Sequence, residues 1–314
     1  MRPMKESAVG NGRIWAVGGG KGGVGKSLVI SSIAISLALK GEKTVLIDAD
    51  FGGANLHSFL GISRPDRTLT DFFIKKTPLA ELVIDSSIPN LGLVVGVISS
   101  FTPENINHAQ KQKFLRHIQM LEADAILVDL GAGASFNIID TYLVAGKKLA
   151  VILPEVTAID NMYSFLKYAF FRKLVQAFSE KRIQYVILDA YKEFKEGGQG
   201  NSGNLSQFID YLQSLGPEAG QIVRQVLSDY EIHIIVNQAK SKQDIALGDS
   251  VKSVCRKYLG FQSRYLGCLE HEESVPASIN SRQPFLLSNP SARFSEEIAR
   301  ITNNLLQNEQ VRLR

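Results

Sequence analysis

Residues Gly20 to Ser27 read GKGGVGKS, a spacing that fits G-x-x-x-x-G-K-[ST]. Glycines at these positions allow the backbone to fold around a phosphate with its N–H groups pointing inwards. Lys26 would reach the β- and γ-phosphates of a nucleotide, and the Ser27 hydroxyl would bind Mg²⁺. The sequence thus predicts a nucleotide-phosphate site whose binding residues are Gly20, Lys21, Gly22, Gly23, Val24, Gly25, Lys26, Ser27 and Leu28.

Acidic residues follow two short apolar runs, in VLIDADFGGANLH and AILVDLGAGASFN. A phosphate loop needs such groups at neighbouring strand ends, to hold Mg²⁺ and to orient the attacking water. Asp129 is expected to hold Mg²⁺ through a water, and either Asp48 or Asp50 is placed to orient water. A single Asp at a strand end is more often a turn cap, but three together with an upstream phosphate loop favour a catalytic site.

These residues require a scaffold of alternating strands and helices. Short apolar runs bounded by turn residues predict buried strands at Ile14–Gly18, Thr44–Asp48, Leu91–Gly96, Ala125–Asp129, Lys148–Pro154, Tyr185–Asp189, Ile232–Asn237 and Arg264–Leu269. Helical patterns lie between them at Leu28–Leu39, Ala109–Leu121, Ala158–Phe178, Asp244–Tyr258 and Phe294–Leu306. We therefore expect an α/β protein in three layers, with a mostly parallel twisted sheet of about eight strands covered by helices on both faces.

The predicted organisation is an N-terminal tail at residues 1–13 and a single domain at 14–314. A partly helical insertion around 190–231 interrupts the alternation, and its Gly/Ser/Asn-rich stretch near Glu196–Asn204 predicts a loop.

Composition bounds the class of protein. With 45% hydrophobic and 21% charged residues, the 314-residue chain is typical of a soluble globular protein. Its net charge of +4 permits contact with nucleic acid or anionic lipid without requiring it. Cys255 and Cys268 form no C-x-x-C pair, which argues against a disulfide framework or a cysteine-based zinc site. We expect a cytoplasmic protein, with peripheral contact to the inner membrane as the alternative.

At this point the motifs resemble a known family. KGGVGKS, IDADFGGANLH, LVDLGAGASFN and ILPEVTAIDN are similar to segments of the deviant Walker A ATPases of the MinD/ParA group, and most similar to the flagellar-number regulators of the FlhG/FleN type. The resemblance implies the P-loop NTPase fold, binding of ATP or ADP with Mg²⁺, and slow ATP hydrolysis by an ATP-dependent homodimer.

The resemblance also implies roles for single residues. Lys26 matches the Walker lysine, and Lys21 matches the signature lysine that crosses the dimer interface to the phosphates of the other subunit. Asp50 matches the water-orienting position, and Asp129 matches the Walker B aspartate. Roles at further positions are implied for Asp48 as a supporting carboxylate near the metal, Asn237 in adenine recognition, and Asn55 and Glu155 close to the nucleotide or the dimer interface.

The sequence departs from the family pattern in three places. Leu28 replaces the second hydroxyl residue of the usual lysine-threonine-threonine run, and Glu270 stands where proline is common. The first residues contain no segment of the kind that flagellar members use to stimulate a partner GTPase.

Several functions remain open. The favoured one is an ATP-driven dimerisation switch that controls the placement or number of a cellular structure through an unidentified protein partner. The alternative is a DNA-partitioning ATPase of the ParA type. A metal-cluster carrier would need cysteines that the chain lacks, and a synthetase-like relative that uses ATP on a small molecule is not separated by the phosphate loop alone.

Two further patterns bear on the partners. The basic clusters His108–His117 and Phe170–Lys173 could touch phosphate backbones, but solvated helix faces are usually charged in this way. The last helical stripe is expected to pack on the sheet rather than on a membrane, through Phe294, Ile298, Ile301 and Leu305.

Overall fold

A computed structural model describes residues 13–63, 65–96, 106–196 and 205–307. Eight strands lie within these residues: β1 Ile14–Gly18, β2 Thr44–Ala49, β3 Val83–Asp85, β4 Leu91–Val94, β5 Ala125–Leu130, β6 Lys147–Ile152, β7 Glu231–Ala239 and β8 Gln262–Glu270. They form one sheet in the order β3-β4-β2-β5-β1-β6-β7-β8. Every pair of neighbours is parallel except β3 with β4.

Helices cover both faces of the sheet. Their bounds are α1 Lys26–Leu39, α2 Leu56–Phe59, α3 Leu69–Phe73, α4 His108–Met120, α5 Phe136–Val144, α6 Val156–Glu180, α7 Gln184–Glu196, α8 Leu205–Ser214, α9 Pro217–Asp229, α10 Lys242–Val254, α11 Val275–Asn280, α12 Phe285–Ser288 and α13 Arg293–Gln307.

Side-chain alternation along β1 divides the apolar interior into two layers. Ile14 and Ala16 point to the layer filled by α3 to α10, whereas Trp15 and Val17 point to the layer filled by α1, α12 and α13. Because successive residues of a strand face opposite sides, a strand buried on both sides must be apolar at nearly every position. This explains why the strand signal in the sequence is a continuous apolar run.

The prediction of a three-layer, mostly parallel α/β fold with about eight strands is confirmed. One predicted strand is wrong, since Tyr185–Asp189 lies within α7. Ile187, Ala190 and Phe194 are buried there while Tyr185 and Leu188 are exposed, which is helical spacing. The sequence analysis missed β3, a three-residue edge strand that pairs only with β4.

The described residues of the connection between β6 and β7 include α6, α7, α8 and α9, and the last three contain helical parts of the insertion predicted around 190–231. Of the loop predicted at Glu196–Asn204, residues 197–204 lie outside the described residues, and Glu196 ends α7. Residues 1–12 of the predicted tail also lie outside them, and the division into a tail and one domain stays a prediction.

The last helix, α13, closes the layer that contains α1. Its apolar stripe is buried against that layer, as predicted, through Phe294, Ile298, Ile301 and Leu305. Among the helices of the described part of the chain, none has the length and apolar character needed to cross a membrane.

The basic clusters His108–His117 and Phe170–Lys173 each contain a residue that binds the same buried carboxylate. Asp140 of α5 accepts hydrogen bonds from Lys111 at 2.5 Å and from Arg172 at 2.9 and 3.1 Å, and Gln176 also donates to it at 3.0 Å. Burial acts to raise the pKa of Asp140, but the hydrogen bonds from Arg172 and Lys111 outweigh it, so the pKa lies below its ordinary value. These two cations hold α4, α5 and α6 together.

Candidate functional site

The phosphate loop connects β1 to α1 at the carboxyl edge of the parallel strands. Gly25 precedes the helix with φ at 90°, a left-handed conformation that favours glycine, and no side chain caps the first turn. The first N–H groups of α1 therefore remain available to an anion, where the helix dipole also favours negative charge.

Close approach of other elements also requires glycine in this loop. A methyl group at Gly25 would lie 2.2 Å from the Asn237 side-chain nitrogen, and one at Gly20 would lie 2.2 Å from the Asn161 carbonyl oxygen. Contacts this short do not occur between real atoms. The loop is therefore held between β7 and α6, and its glycines keep the backbone open towards a phosphate.

Lys26 is the first residue of α1 and is buried, with 7% of the residue exposed. Its Nζ atom lies 3.5 Å from the Lys21 carbonyl oxygen, across the mouth of the loop. Burial lowers the pKa of Lys26, whereas the negative charges of Asp129 and Asp50 act to raise it. A phosphate bound in the loop would supply the anionic partner that a buried lysine needs.

The strand register brings two predicted carboxylates together. Asp48 on β2 is paired with Asp129 on β5, and Asp129 is in turn paired with Val17 next to the loop. Asp48 accepts hydrogen bonds from the N–H groups of Leu56 at 3.0 Å and Asp50 at 3.2 Å. Burial raises the pKa of Asp48 to about 7 despite these bonds.

Asp129 is the carboxylate of this site that keeps a buried oxygen without a hydrogen-bond partner in the described part of the chain. It is 1% exposed, and its Oδ1 atom has no hydrogen-bond partner among the described residues. Burial raises the pKa of Asp129 to about 8, while a hydrogen bond from the Ser27 side chain and the charge of Lys26 act in the opposite direction. A buried, unpaired carboxylate oxygen beside a lysine and a serine is arranged to receive a cation or a water bound to one.

Asp50 follows β2 and is partly exposed. Its Oδ1 accepts a hydrogen bond from the Gly52 N–H at 3.1 Å, and a methyl group at Gly131 would lie 2.8 Å from the same atom. Asp50 therefore lies against the loop that follows Asp129, where a carboxylate could orient a water towards a phosphate.

Lys21 does not point into the loop. Its Nζ lies 3.0 Å from Glu155 Oε2 and 3.2 Å from Thr157 Oγ1, at the start of α6 of the same chain. The sequence analysis named Glu155 but missed Thr157 and Asn161, which also contact the loop. The segment LPEVTAIDN contains all three, but only the approach of α6 to the loop shows that they act together.

The remaining predicted residues are placed as follows. Asn237 at the end of β7 is buried, and its Nδ2 donates to the Val24 carbonyl oxygen at 2.9 Å. Asn55 donates to the Gly53 carbonyl oxygen at 2.8 Å. Leu28, in the first turn of α1, is partly buried against the apolar layer that α1 shares with α12 and α13.

Glu270, which departs from the family pattern, contributes to a network that attaches the end of β8 to α13. It forms an ion pair with Arg293, and its N–H donates to Glu297 Oε2 at 2.8 Å.

Comparison with known proteins finds relatives of one kind, the ParA/MinD-type P-loop proteins. The family model ParA, described as NUBPL iron-transfer P-loop NTPase, matches residues 11–174. The chain is 30% identical over 163 residues to the antiactivator FleN of Pseudomonas aeruginosa, which is 49% of this chain and 55% of FleN. It is 34% identical over 149 residues to the septum site-determining protein MinD of a Synechocystis species, 47% of this chain and 55% of MinD. The chain thus spans about half the length of the curated relatives it matches.

Solved structures resemble the whole fold. MinD of Pyrococcus horikoshii complexed with Mg-ADP aligns with a TM-score of 0.63 at 17% identity, over 93% of this chain and 95% of that one. MinD in the MinC:MinD complex of Aquifex aeolicus aligns with a TM-score of 0.60 at 21% identity, over 96% and 98%. At these identities the similarity shows the fold alone.

Proposed function

Because this chain belongs to the ParA/MinD family of P-loop NTPases, we propose that it binds ATP with Mg²⁺, dimerises on ATP and hydrolyses it slowly. The observation that carries the proposal is Asp129, whose buried Oδ1 lacks a partner beside Lys26 and Ser27. Among the described residues no three acidic, histidine or cysteine side chains cluster as a metal cage. This agrees with Mg²⁺, which is bound through few protein groups together with waters and substrate phosphates.

In the proposed site each residue has one task. Lys26 and the N–H groups of the loop bind the β- and γ-phosphates, and Ser27 is the direct protein ligand of Mg²⁺. Asp129 holds a water of the metal, and Asp48 is the supporting carboxylate of the metal site, fixed by hydrogen bonds from the backbone N–H groups of Asp50 and Leu56. Mg²⁺, when bound, neutralises part of the phosphate charge.

Asp50 orients the attacking water in this proposal. Asp50 lies close to Gly131, in the loop after Asp129. A bound γ-phosphate would therefore affect the positions of both Asp50 and this loop. Asn237, which bonds to Val24 of the loop, is proposed to recognise adenine at the open side of the same turn.

In this proposal Lys21 makes ATP hydrolysis depend on a second subunit. It binds Glu155 and Thr157 within its own chain and must leave them to reach the phosphates of a partner subunit. Two large apolar residues flank this region: Val156, 75% exposed at the start of α6, and Phe136, 69% exposed at the start of α5. Both follow parallel strands, so they lie at the same edge of the sheet as the phosphate loop, and we assign them to the dimer face.

The output of the switch is proposed to be the placement or number of a cellular structure, read by a protein partner. FleN of Pseudomonas aeruginosa is an antiactivator, MinD of Synechocystis determines septum site, and MinD of Aquifex aeolicus forms a complex with MinC. These activities support a regulatory role for this chain without identifying its partner. Cys255 and Cys268 are free cysteines, which fits a reducing cytoplasm.

DNA partitioning is the second candidate, since plasmid partition proteins of Borrelia burgdorferi share the fold. One residue of each basic cluster, Lys111 and Arg172, binds Asp140, which leaves fewer cations for contact with DNA. It predicts ATP-dependent binding to DNA that weakens steeply with salt. Cargo transfer of a metal cluster is not proposed, because Cys255 is fully buried and burial raises the pKa of its thiol to about 12.

The test is the mass of the Asp50→Ala variant in solution, measured by size-exclusion chromatography with light scattering. We expect a monomer with ADP and a dimer with ATP and Mg²⁺, because binding remains while hydrolysis is lost. Lys26→Ala is the matched control and should stay monomeric under both conditions. A monomeric Asp50→Ala protein that binds ATP would refute the switch.

A further inference from the structure

A cavity lies between α5, α6, α7 and α8, and it shares Phe136 with the proposed dimer face. Its volume is about 570 Å³, and four helices contribute to its wall. The family model ends at residue 174, within α6, so α7 and α8 lie beyond the segment that it matches. The cavity is therefore a feature to which the inserted helices contribute.

Aromatic rings form much of its wall. Phe171 of α6 lies 4.9 Å from Tyr191 and 6.1 Å from Phe208, measured between ring centroids, and Tyr191 lies 5.6 Å from Phe208. At the rim, Tyr168 is 59% exposed and Leu188 is 48% exposed. Neighbouring large apolar groups on a surface usually mark a binding site, since burying them in a ligand complex is favourable.

Two cations reach this wall, and only one of them is already paired. Arg172 is bound to Asp140, and its guanidinium carbon lies 5.1 Å from the centre of the Phe136 ring. Lys167 is exposed and has no hydrogen bond or ion pair with any residue in the described ranges. The described part of the wall is thus mostly apolar, with one exposed cation, Lys167, that pairs with none of the described side chains.

The volume of the cavity fits a small molecule. Small-molecule sites typically measure about 300–1,000 Å³ and combine apolar walls with few polar groups. Leu205 and Phe208 of α8 form part of the wall together with residues of α6 and α7.

We propose that this cavity binds a small amphiphile with an apolar body and one negative charge, which pairs with Lys167. Binding is coupled to the nucleotide, because Ala134 and Phe136 of the wall directly follow the loop after Asp129. The coupling rests on the proposed nucleotide binding, whereas binding in the cavity does not. The chain then has two ligand sites that influence one another's affinity.

The experiment uses 1-anilinonaphthalene-8-sulfonate, an aromatic anion that fluoresces in apolar sites, with the full-length protein. We expect saturable binding of one molecule per chain and competition by dodecanoate, an aliphatic anion. Leu188→Glu should weaken binding about tenfold or more, because it places a like charge at the entrance and removes apolar contact. Tyr185→Glu is the matched control on the same helix, since Tyr185 is 63% exposed and lies outside the cavity wall, and it should bind normally.

Charge is tested with a second pair of variants on α6. Lys167→Glu should weaken dye binding about fivefold, the scale of one exposed ion pair, whereas Lys181→Glu, just after the end of the helix, should not. Equal affinity in wild type, Leu188→Glu and Lys167→Glu would overturn the proposal. Competition by an acidic amphipathic helical peptide, with none by dodecanoate, would show a protein-docking groove and would overturn it as well.

Coupling is measured by repeating the titration with Mg-ADP and with a non-hydrolysable ATP analogue. The dye affinity should differ at least about threefold between the two in wild type, within the usual range of coupling energies, and should not respond in Lys26→Ala. An unchanged dye affinity in wild type with bound nucleotide would refute the coupling. Dye binding with no nucleotide binding by calorimetry would instead refute the proposed function and leave the cavity assignment intact.

Discussion

Lys21 Nζ lies 3.0 Å from Glu155 Oε2, so the first lysine of the phosphate loop is bound to the start of α6 in its own subunit. Both side chains are partly exposed, at 37% and 54%, and exposed ion pairs of this kind contribute about 0–1 kcal/mol. The contact is therefore weak enough for a stronger anion, such as a phosphate of a second subunit, to replace Glu155.

The Lys21→Ala variant should bind ATP normally, yet lose ATP-dependent dimerisation and turnover. Lys26 and the backbone N–H groups of the loop supply nucleotide binding in cis, while Lys21 acts on the other subunit. Calorimetry, light scattering and phosphate release measure the three properties. Lys40→Ala, an exposed lysine at the far end of α1, is the control. Normal turnover in Lys21→Ala would contradict the role of this lysine in trans.

Val156→Asp should weaken the ATP-dependent dimer by about tenfold or more, because a charge would be buried in an apolar interface. Val156 is 75% exposed, so the fold of the monomer should not suffer. Met120→Asp is a matched control: Met120 is 73% exposed and ends α4, at the opposite edge of the sheet. The dimer dissociation constant should change in the first variant only, and equal constants would remove Val156 from the interface.

Gly25→Ala should reduce both stability and nucleotide affinity. Its φ of 90° costs an alanine about 1–2 kcal/mol, and the new methyl group would force Asn237 away from Val24. Gly41→Ala separates the two effects, since Gly41 has φ of 85° with no atom within 4 Å of the added methyl group. Thermal unfolding should show a larger loss for Gly25→Ala than for Gly41→Ala. Equal losses would mean that the contact with Asn237 contributes nothing.

Asp140→Asn should destabilise the fold by about 3–5 kcal/mol, because it leaves Lys111 buried without its counter-charge. Urea unfolding measures the change, and Asp189→Asn on the exposed side of α7 is the control with an expected effect within about 0.5 kcal/mol. A small effect at Asp140 would show that Lys111 finds water or another partner.

Acid should destabilise the protein through His233. Burial, followed by the charge of Lys147, lowers the pKa of His233 to about 3; the charges of Arg264 and Lys148 act in the same direction, and a hydrogen bond with the Lys148 backbone opposes them without outweighing burial. Glu231 lies 3.6 Å from its Nε2 but does not reverse the shift. Because the unfolded chain then binds a proton that the folded chain excludes, stability is complete above pH 6.5 and falls as the pH drops towards 3.

His233→Phe should therefore make the free energy of unfolding less dependent on pH between 6.5 and 3. Phenylalanine keeps a ring of similar size at this buried position, so the fold should tolerate the substitution. His108→Gln, at the exposed start of α4, should leave the pH dependence unchanged. An identical slope for wild type and His233→Phe would rule out His233 as the source.

The sequence predicts the central strands well because burial on both faces demands a continuous apolar run, as in Ala125–Leu130. The same rule fails at Tyr185–Asp189, since a run of four apolar residues also fits the buried stripe of a helix that packs on α6. It misses Val83–Asp85, whose half-exposed side chains and single neighbour leave no apolar run.

In the site, Lys26, Ser27 and Asp129 could be predicted together because a short motif and a strand end fix their positions. Thr157 could not, because nothing in the residues around it shows that α6 begins beside Lys21. The cluster at Asp140 could not be predicted for the same reason. In the sequence Lys111 and Arg172 resemble solvated charges, and only the packing of α4, α5 and α6 brings them to Asp140.

The close approach of Gly20 to the Asn161 carbonyl oxygen has a kinetic consequence. There is no room for a side chain between Gly20 and Asn161, so movement of the start of α6 towards the loop must displace Gly20. If ADP binds in this loop as proposed, a partner that moves the start of α6 is expected to change the rate at which ADP dissociates.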